Sequence, residues 1–139
     1  MKNFARSRKG YTLVELTVVI LIIGVIATVA APKFFDSLTK AQDNSATQTL
    51  QVVRDAIELY KANNGDYPGA DGAEATLKTN LDDYLRNDFP TCQVGKRDDA
   101  VKIETDGAAL SGKIDGTTGW IYDKSTGEFR INHSSYSTL

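Results

Sequence analysis

The sequence predicts an α+β protein in which a long N-terminal helix packs against a small antiparallel β-sheet. Three observations lead to this fold class. Gly10 to Pro32 form an apolar run that contains one charged residue, Glu15. Apolar residues then recur at helical spacing as far as Asn64. In the last third of the chain, short segments of β-forming residues alternate with turn residues.

The apolar run is long enough to cross a membrane. Its twenty-three residues would form a helix of about 34 Å, and the hydrocarbon core of a bilayer is about 30 Å thick. Four basic residues precede the run, whereas the charges that follow it balance: Lys2, Arg6, Arg8 and Lys9 before, and Lys33, Asp36, Lys40 and Asp43 after. The positive-inside tendency therefore predicts a cytoplasmic N-terminus and an exported C-terminal part.

The helix is predicted to continue beyond the membrane, from Tyr11 to Ala62, and to stop at Asn63, Asn64 and Gly65. Its second half is amphipathic, so one face is predicted to pack against the rest of the chain. The residues predicted for that apolar face are Phe34, Leu38, Ala41, Ser45, Val52, Ala56 and Leu59, with Phe35, Val53, Ile57 and Tyr60 beside them. Gly24 and Pro32 are the weak points of the helix, because glycine has a low helix propensity and proline removes a backbone donor.

The remainder is predicted to form a small head. The segment NGDYPGADG, from Asn64 to Gly72, has the composition of turns. A short helix is predicted from Ala73 to about Leu85, and a strand from Val101 to Glu104. A hairpin should follow, with Trp120 to Tyr122 paired with Glu128 to Asn132. The antiparallel sheet formed by these strands would lie on the second half of the long helix.

Glu15 admits three explanations. A secretory signal cut near Ala31 would leave an acid inside its apolar region and place Pro32 directly after the cut. In a plain membrane anchor, the carboxylate would raise the free energy of insertion by about 2.5 to 3.5 kcal/mol and would have no role. If instead the chain were cut after Gly10, the new amino group at Tyr11 could neutralise Glu15 between adjacent subunits. The third explanation is the one that gives the acid a role.

The residues around Glu15 resemble a known family. KGYTLVEL, from Lys9 to Leu16, is similar to the prepilin processing motif of type IV pilins and type II secretion pseudopilins. The resemblance implies that a prepilin peptidase cuts between Gly10 and Tyr11 and methylates the new amine, and that Glu15 serves in filament assembly. It also implies the pilin fold, with the helix unwound locally in the filament between Gly24 and Pro32. The alternative for that segment is a tilted membrane helix with a kink at Pro32.

Composition and single residues exclude or weaken other functions. Removing the four leader cations from sixteen basic residues leaves twelve against eighteen acids, so the remaining chain is acidic and no nucleic-acid partner is expected. Cys92 is the one cysteine and is predicted to be a half-buried apolar residue. His133 is the one histidine and is predicted to be exposed near the chain end. The sequence offers no enzyme site.

No cofactor is expected, although the secretion pseudopilins that the chain resembles bind calcium in a loop of the head. Acidic residues that could contribute to such a site do not follow the spacing of helix-loop-helix calcium loops. They are Asp66, Asp71, Asp98, Asp99, Asp106, Asp115 and Asp123.

The sequence thus predicts a leader over residues 1–10, a transmembrane and filament-core segment over 11–35, and a periplasmic or extracellular head over 36–139. The implied product is a structural subunit of a type IV pilus or secretion pseudopilus, inserted first in the bacterial inner membrane as a single-pass precursor. Its partners would be other copies or minor pilins, the prepilin peptidase, and an assembly platform with its ATPase. A competence pseudopilus, and a soluble binding domain released near Ala31, are the alternatives.

Overall fold

The computed structural model describes residues 10–138, so the predicted leader over residues 1–10 lies outside the described part of the chain except for Gly10. The chain divides into two compact units, Met1–Thr39 and Lys40–Leu139. The boundary falls inside the first helix, α1, which runs from Leu13 to Asn64. The predicted helix is therefore confirmed, with each end displaced by two residues.

In the first unit, every described residue is exposed in the isolated chain. Its side chains are mostly apolar, and α1 is the one described helix long and apolar enough to span a membrane by length and composition. An exposed apolar surface of this extent is unfavourable in water and is suited to contact with lipid or with other protein molecules.

The second unit contains a short helix and a three-stranded sheet. Helix α2 spans Glu74–Leu81 and continues into a 3-10 turn at Asp82–Tyr84, as predicted for residues 73 to 85. The strands are β1 (Val101–Glu104), β2 (Trp120–Asp123) and β3 (Phe129–Ile131), in the order β1-β2-β3. Two further 3-10 turns lie at Leu110–Gly112 and Ser134–Tyr136. The α+β fold class is confirmed.

The prediction of a wholly antiparallel sheet is wrong in one detail. Strands β2 and β3 form the predicted antiparallel hairpin, but β1 pairs with β2 in parallel, with Val101 opposite Trp120. Residues 105–119 connect the two parallel strands. That connection is long enough to return the chain to the same end of the sheet, which a tight hairpin cannot do.

The core of the second unit lies between α1 and the sheet. Helix α1 contributes the buried residues Ala46, Leu50, Val53, Ala56 and Ile57. They pack with residues of the sheet and of the segments before it, namely Leu77, Leu81, Cys92, Val94, Val101, Trp120, Tyr122, Phe129 and Ile131. Apolar spacing of three and four residues along α1 thus places one stripe of the helix in the core.

The predicted apolar face of α1 is partly wrong. Ala56, Val53 and Ile57 are buried as expected, but Val52 and Leu59 are 55% and 58% exposed. The remaining predicted members are exposed as well: Phe34, Leu38, Ala41 and Ser45. The helix has two apolar stripes, and the head packs on the one centred on Leu50 and Val53.

Aromatic side chains of the sheet contact the loops through ring packing and hydrogen bonds. Trp120 stacks on Phe129 with ring centroids 5.2 Å apart, and its indole nitrogen donates to the Pro90 carbonyl oxygen at 2.9 Å. The hydroxyl of Tyr122 donates to the Pro68 carbonyl oxygen at 3.0 Å. The ring of Tyr67 lies against Gly127 in the β2–β3 turn, and this glycine has φ +77°. The NGDYPG segment is thereby fixed to the hairpin.

Replacing Gly127 with alanine should destabilise the head. The new methyl carbon would lie 2.1 Å from a Tyr67 ring carbon at a backbone conformation that disfavours side chains. We expect a loss of about 2 kcal/mol or more, measured as a fall of about 10 °C in the Tm of the full chain in detergent micelles. Gly112→Ala is the control, since open space surrounds that position. Equal Tm values for the two variants would contradict the Tyr67 packing.

Candidate functional site

The first turn of α1 is closed by reciprocal hydrogen bonds between Thr12 and Glu15. The Thr12 backbone N–H donates to Glu15 Oε2 at 2.8 Å, and the Thr12 hydroxyl donates to the same oxygen at 3.0 Å. In return, the Glu15 backbone N–H donates to Thr12 Oγ1 at 3.2 Å. This arrangement is a capping box, in which the residue before the helix and the third helical residue each satisfy a free N–H of the other.

Sequence analysis assigned Glu15 to assembly and did not identify its role as a cap. The signal was present, because Thr-x-x-Glu directly before an apolar run is the pattern of a capping box. Both bonds from Thr12 go to Oε2. Within the described residues, no hydrogen bond reaches Oε1. One carboxylate oxygen therefore holds the helix end, and no described residue bonds to the other.

The surroundings of Glu15 are apolar. The carboxylate lies in a shallow groove on the helix surface lined by Tyr11, Val14, Leu16, Val18 and Val19. Tyr11 itself is 88% exposed, and Gly10, directly before it, is exposed too. A methyl group added at Gly10 would meet no atom within 4 Å, so the isolated chain does not require glycine there.

The other polar side chains of the apolar run are satisfied within the helix. The hydroxyl of Thr17 donates to the Val14 carbonyl oxygen, and that of Thr28 donates to the Gly24 carbonyl oxygen, both at 2.9 Å. Such bonds let a hydroxyl enter lipid or an apolar bundle without an external partner. In contrast, Oε1 of Glu15 has no hydrogen-bond partner among the described residues.

Gly24 and Pro32, the predicted weak points, lie inside an unbroken helix in the single chain. Pro32 has no N–H, so it cannot donate to the Thr28 carbonyl oxygen one turn earlier. Gly24 has open space around its α-carbon. The structure of one chain thus shows the two positions in helical form, and local unwinding in a filament stays a prediction.

The aspartates considered as calcium ligands are dispersed through the head, and several bond to lysines. Lys102 donates to Asp115 at 2.9 Å and lies 3.2 Å from Glu104. Lys113 donates to Glu104 at 3.0 Å and also to Asp106. The Lys102 ammonium, followed by bonds from Thr117 and Asn132, holds the pKa of Asp115 well below its usual value. Two ammonium groups thus bond to the three carboxylates beside β1.

The other aspartates are bound separately. Asp99 pairs with Lys78 at 2.8 Å, and Asp71 accepts from Thr76 at 2.6 Å. Asp98 accepts from the Gly119 N–H, and buried Asp123 accepts from the Gly107 N–H at 2.9 Å. Asp66 is exposed. Among the described residues, no three acidic, histidine or cysteine side chains form a group that could hold a metal ion.

Cys92 and His133, the one cysteine and the one histidine, are each more buried than predicted. Cys92 is fully buried, not half-buried, because it packs in the core between α1 and the sheet. Burial raises the pKa of its thiol. His133 is partly buried rather than exposed: its Nδ1 accepts from the Ser135 N–H at 3.3 Å, and its ring lies 5.7 Å from that of Tyr136.

Removal of the Thr12 hydroxyl should loosen the first turn of α1. Thr12→Val keeps the shape of the side chain but removes both hydroxyl bonds, at a cost of about 1 kcal/mol to the helix end. We expect about fivefold faster hydrogen exchange at the amides of the first turn in micelles. Thr12→Ser, which keeps the hydroxyl, should exchange at the original rate. Slow exchange in Thr12→Val would show that the capping box does not form.

The N-terminal segment of the chain is similar to segments of known proteins. The prokaryotic N-terminal methylation motif, as a family model, matches residues 5–31. The fimbrial protein of Neisseria meningitidis serogroup B is 39% identical over 62 residues, which cover 45% of this chain and 36% of that protein. The type II secretion system core protein G of Vibrio cholerae serotype O1 is 31% identical over 83 residues, covering 59% and 57%. Its Escherichia coli K12 counterpart is 36% identical over 61 residues, covering 44% and 42%.

These matches cover only part of each protein. The chain spans about half the length of the curated relatives it matches, between 36% and 57% for these three. No solved structure matches the chain. The methylation motif includes the cap, the lone carboxylate and the apolar run described above, and the relatives are both fimbrial and secretion proteins. Over its N-terminal part, the chain is similar to fimbrial and type II secretion proteins, and it carries the prokaryotic N-terminal methylation motif.

Proposed function

We propose that the chain is a structural subunit of a helical filament, either a type IV pilus or a type II secretion pseudopilus. The observation that carries this proposal is the open oxygen of Glu15 on a helix whose apolar surface is exposed in the single chain. A membrane alone would cover the apolar side chains but would leave the carboxylate without a partner. A neighbouring subunit covers both.

The partner of Glu15 is the amino group of another copy. Cleavage after Gly10 by a prepilin peptidase frees the amine of Tyr11, which the same enzyme methylates. That ammonium, in a neighbouring subunit, reaches Glu15 Oε1 while Oε2 stays bonded to Thr12. The pair removes two charges that would each be costly in an apolar environment.

The exposed position of Gly10 and Tyr11 supports this cut site. Both residues precede α1, which begins at Leu13, so the backbone around the scissile bond is not held in a helix. A peptidase must bind extended backbone. Since no described side chain packs against Gly10, the need for a small residue arises in the enzyme's site and not in this chain's own fold.

Assembly then exchanges lipid contacts for protein contacts along residues 11–35. Lipid tails are as apolar as these side chains, so burial of apolar area contributes little to the free energy of assembly. Close packing and the Glu15 pair determine that free energy instead. Gly24 and Pro32 permit local unwinding where neighbouring helices crowd. The precursor is inserted in the inner membrane with its N-terminus in the cytoplasm, and the head, residues 36–139, is carried into a periplasmic pseudopilus or an extracellular pilus.

The partners proposed are other copies of the chain or minor pilins, the prepilin peptidase, and an inner-membrane platform with its ATPase. The activity is architectural and involves no catalysis by this chain. A competence pseudopilus is a less favoured variant, because the chain beyond the leader is acidic and would be repelled by DNA. Release of a soluble domain after Ala31 is disfavoured because α1 continues without interruption through that position.

Neutralising Glu15 should block assembly and leave processing intact. Glu15→Gln keeps an oxygen that can accept from the Thr12 N–H, whereas Glu15→Ala loses both the cap and the charge. We expect both variants to give mature protein whose intact mass corresponds to a chain that begins at methylated Tyr11. Both should be depleted from sheared filaments by about 100-fold or more, since an unpaired buried charge costs about 3 kcal/mol.

The comparison of the two variants separates the charge from the cap. Normal filaments from Glu15→Gln would show that the cap, not the charge, is needed. An intact mass that corresponds to a chain beginning at Pro32 would instead support the released soluble domain.

We also propose that the head needs no divalent cation, because Lys102 and Lys113 bond to the three carboxylates beside β1. Chelation with EDTA should leave the Tm of the full chain in micelles unchanged. Lys113→Met, which leaves Asp106 without its lysine and Glu104 with Lys102 alone, should be the variant whose Tm rises on addition of millimolar Ca²⁺. A fall in the Tm of the unsubstituted chain with EDTA, restored by Ca²⁺, would contradict the proposal.

A further inference from the structure

We propose that a polar clasp holds one turn of α1 against the rest of the second unit, and that this turn is released while the core stays folded. The turn is the one that contains Gln42 and Asp43, and the clasp consists of the side chains of Arg97 and Tyr136. All four residues belong to the second unit. The inference goes beyond the filament function and does not depend on it.

The turn at Gln42 and Asp43 is held without buried apolar side chains. Ala46 is the first buried residue of α1. Between Lys40 and Ser45, Gln42 and Asp43 are partly buried and the other residues are exposed. Polar contacts therefore hold this turn, and a hydrogen bond between partly exposed groups adds little net stability because water can replace it. Such a turn opens far more readily than the buried segment that begins at Ala46.

Tyr136 forms the first arm of the clasp. Its hydroxyl donates to Asp43 Oδ1. This hydrogen bond raises the pKa of Tyr136 to about 12, so the hydroxyl keeps its proton at neutral pH. The 3-10 turn at Ser134–Tyr136 is fixed to β3, because Arg130 Nη1 donates to the Ser137 carbonyl oxygen at 2.7 Å. This arm thus joins α1 to the sheet.

Arg97 forms the second arm. Its Nη2 donates to Gln42 Oε1 at 3.1 Å. Arg97 has φ +56°, and among the described residues it is the one non-glycine residue with a positive φ. A side chain makes this backbone conformation unfavourable, so it persists where the surrounding structure imposes it. Glycine would adopt it with less strain. What arginine adds at this position is the guanidinium that reaches α1.

The two arms are in contact with each other. Gly95, two residues before Arg97, has φ +63°, and a methyl carbon added there would lie 3.2 Å from the β-carbon of His133. The ring of His133 in turn lies 5.7 Å from the ring of Tyr136. The loop that carries Arg97 therefore packs on the segment that carries Tyr136, and this contact places both donors beside the same turn of α1.

Release of the clasp changes how much of α1 the second unit holds. With the clasp closed, the first held residue is Gln42, and with the clasp open it is Ala46. These positions are four residues apart, which is about 6 Å along a helix. Leu50 and Val53 lie deeper in the core and keep their contacts in both states. The clasp is thus a local two-state device at the start of the head.

Removal of one hydroxyl tests the first arm. Tyr136→Phe keeps the ring and removes the donor to Asp43. A helical turn without tertiary contacts opens more readily, so we expect about fivefold faster hydrogen exchange at amides 42–46 of the full chain in micelles. Exchange at amides 50–57 should be unchanged. Tyr84→Phe is the matched control, since the Tyr84 hydroxyl accepts from Asn63 and Asn64 at the other end of α1. It should leave amides 42–46 unchanged.

A glycine substitution tests the second arm. Arg97→Gly removes the bond to Gln42 and also relieves the backbone at φ +56°. We expect about twofold faster exchange at amides 42–46, because the lost bond is exposed, together with a Tm that is unchanged or raised. The double variant Tyr136→Phe/Arg97→Gly should exchange about tenfold faster at these amides, since the two bonds reach different residues of α1.

Two results would overturn the clasp. One is unchanged exchange at amides 42–46 in both single variants and in the double variant. The other is equal acceleration at amides 42–46 and 50–57, which would show that the whole second unit is destabilised. Absence of filaments from the unsubstituted chain would contradict the proposed function and leave the clasp standing, because exchange is measured on dispersed subunits.

Discussion

One carboxylate in an apolar helix is the constraint on which the rest of this molecule depends. Glu15 places a charge where lipid or neighbouring helices must lie, and a charge in that environment costs several kcal/mol unless it is paired. The chain itself supplies two hydrogen bonds to this carboxylate, because Thr12 donates to Oε2 through its N–H and its hydroxyl. The other oxygen, Oε1, has no partner among the described residues, whereas the hydroxyls of Thr17 and Thr28 are bonded within the helix.

The helix that carries this acid serves two environments in turn. In the first unit it is exposed on all sides, so its apolar residues belong to whatever surrounds the chain. In the second unit Leu50, Val53 and Ile57 are buried in the chain's own core, while Val52 and Leu59 are not. A single helix thus supplies buried residues to the core of the head and keeps other apolar side chains exposed. The charges beside β1 and α2 are paired within the head.

The candidate site shows what local patterns reveal and what they hide. The position and isolation of Glu15 are evident in the sequence, and the family resemblance of the surrounding residues follows from the same eight letters. The capping box could also have been recognised, since Thr-x-x-Glu is a local pattern. The unequal use of the two carboxylate oxygens could not, because it depends on how the Glu15 side chain is oriented toward Thr12. The pairing of Lys102 with Asp115, 13 residues along the chain, and of Lys113 with Glu104, 9 residues before it, was equally hidden.

The sequence by itself determined the elements: the long helix α1 with its end at Asn64–Gly65, the short α2, and three strands near their observed positions. Each of these follows from propensity and periodicity within a few residues. Only the tertiary structure decided that β1 runs parallel to β2 and that the head packs on the Leu50 stripe of α1. A strand's direction depends on the path of the connection through residues 105–119, and both stripes have helical spacing. The choice between them depends on which side chains complement Trp120, Tyr122 and Phe129 in one close-packed core, and that complementarity joins residues distant in the chain.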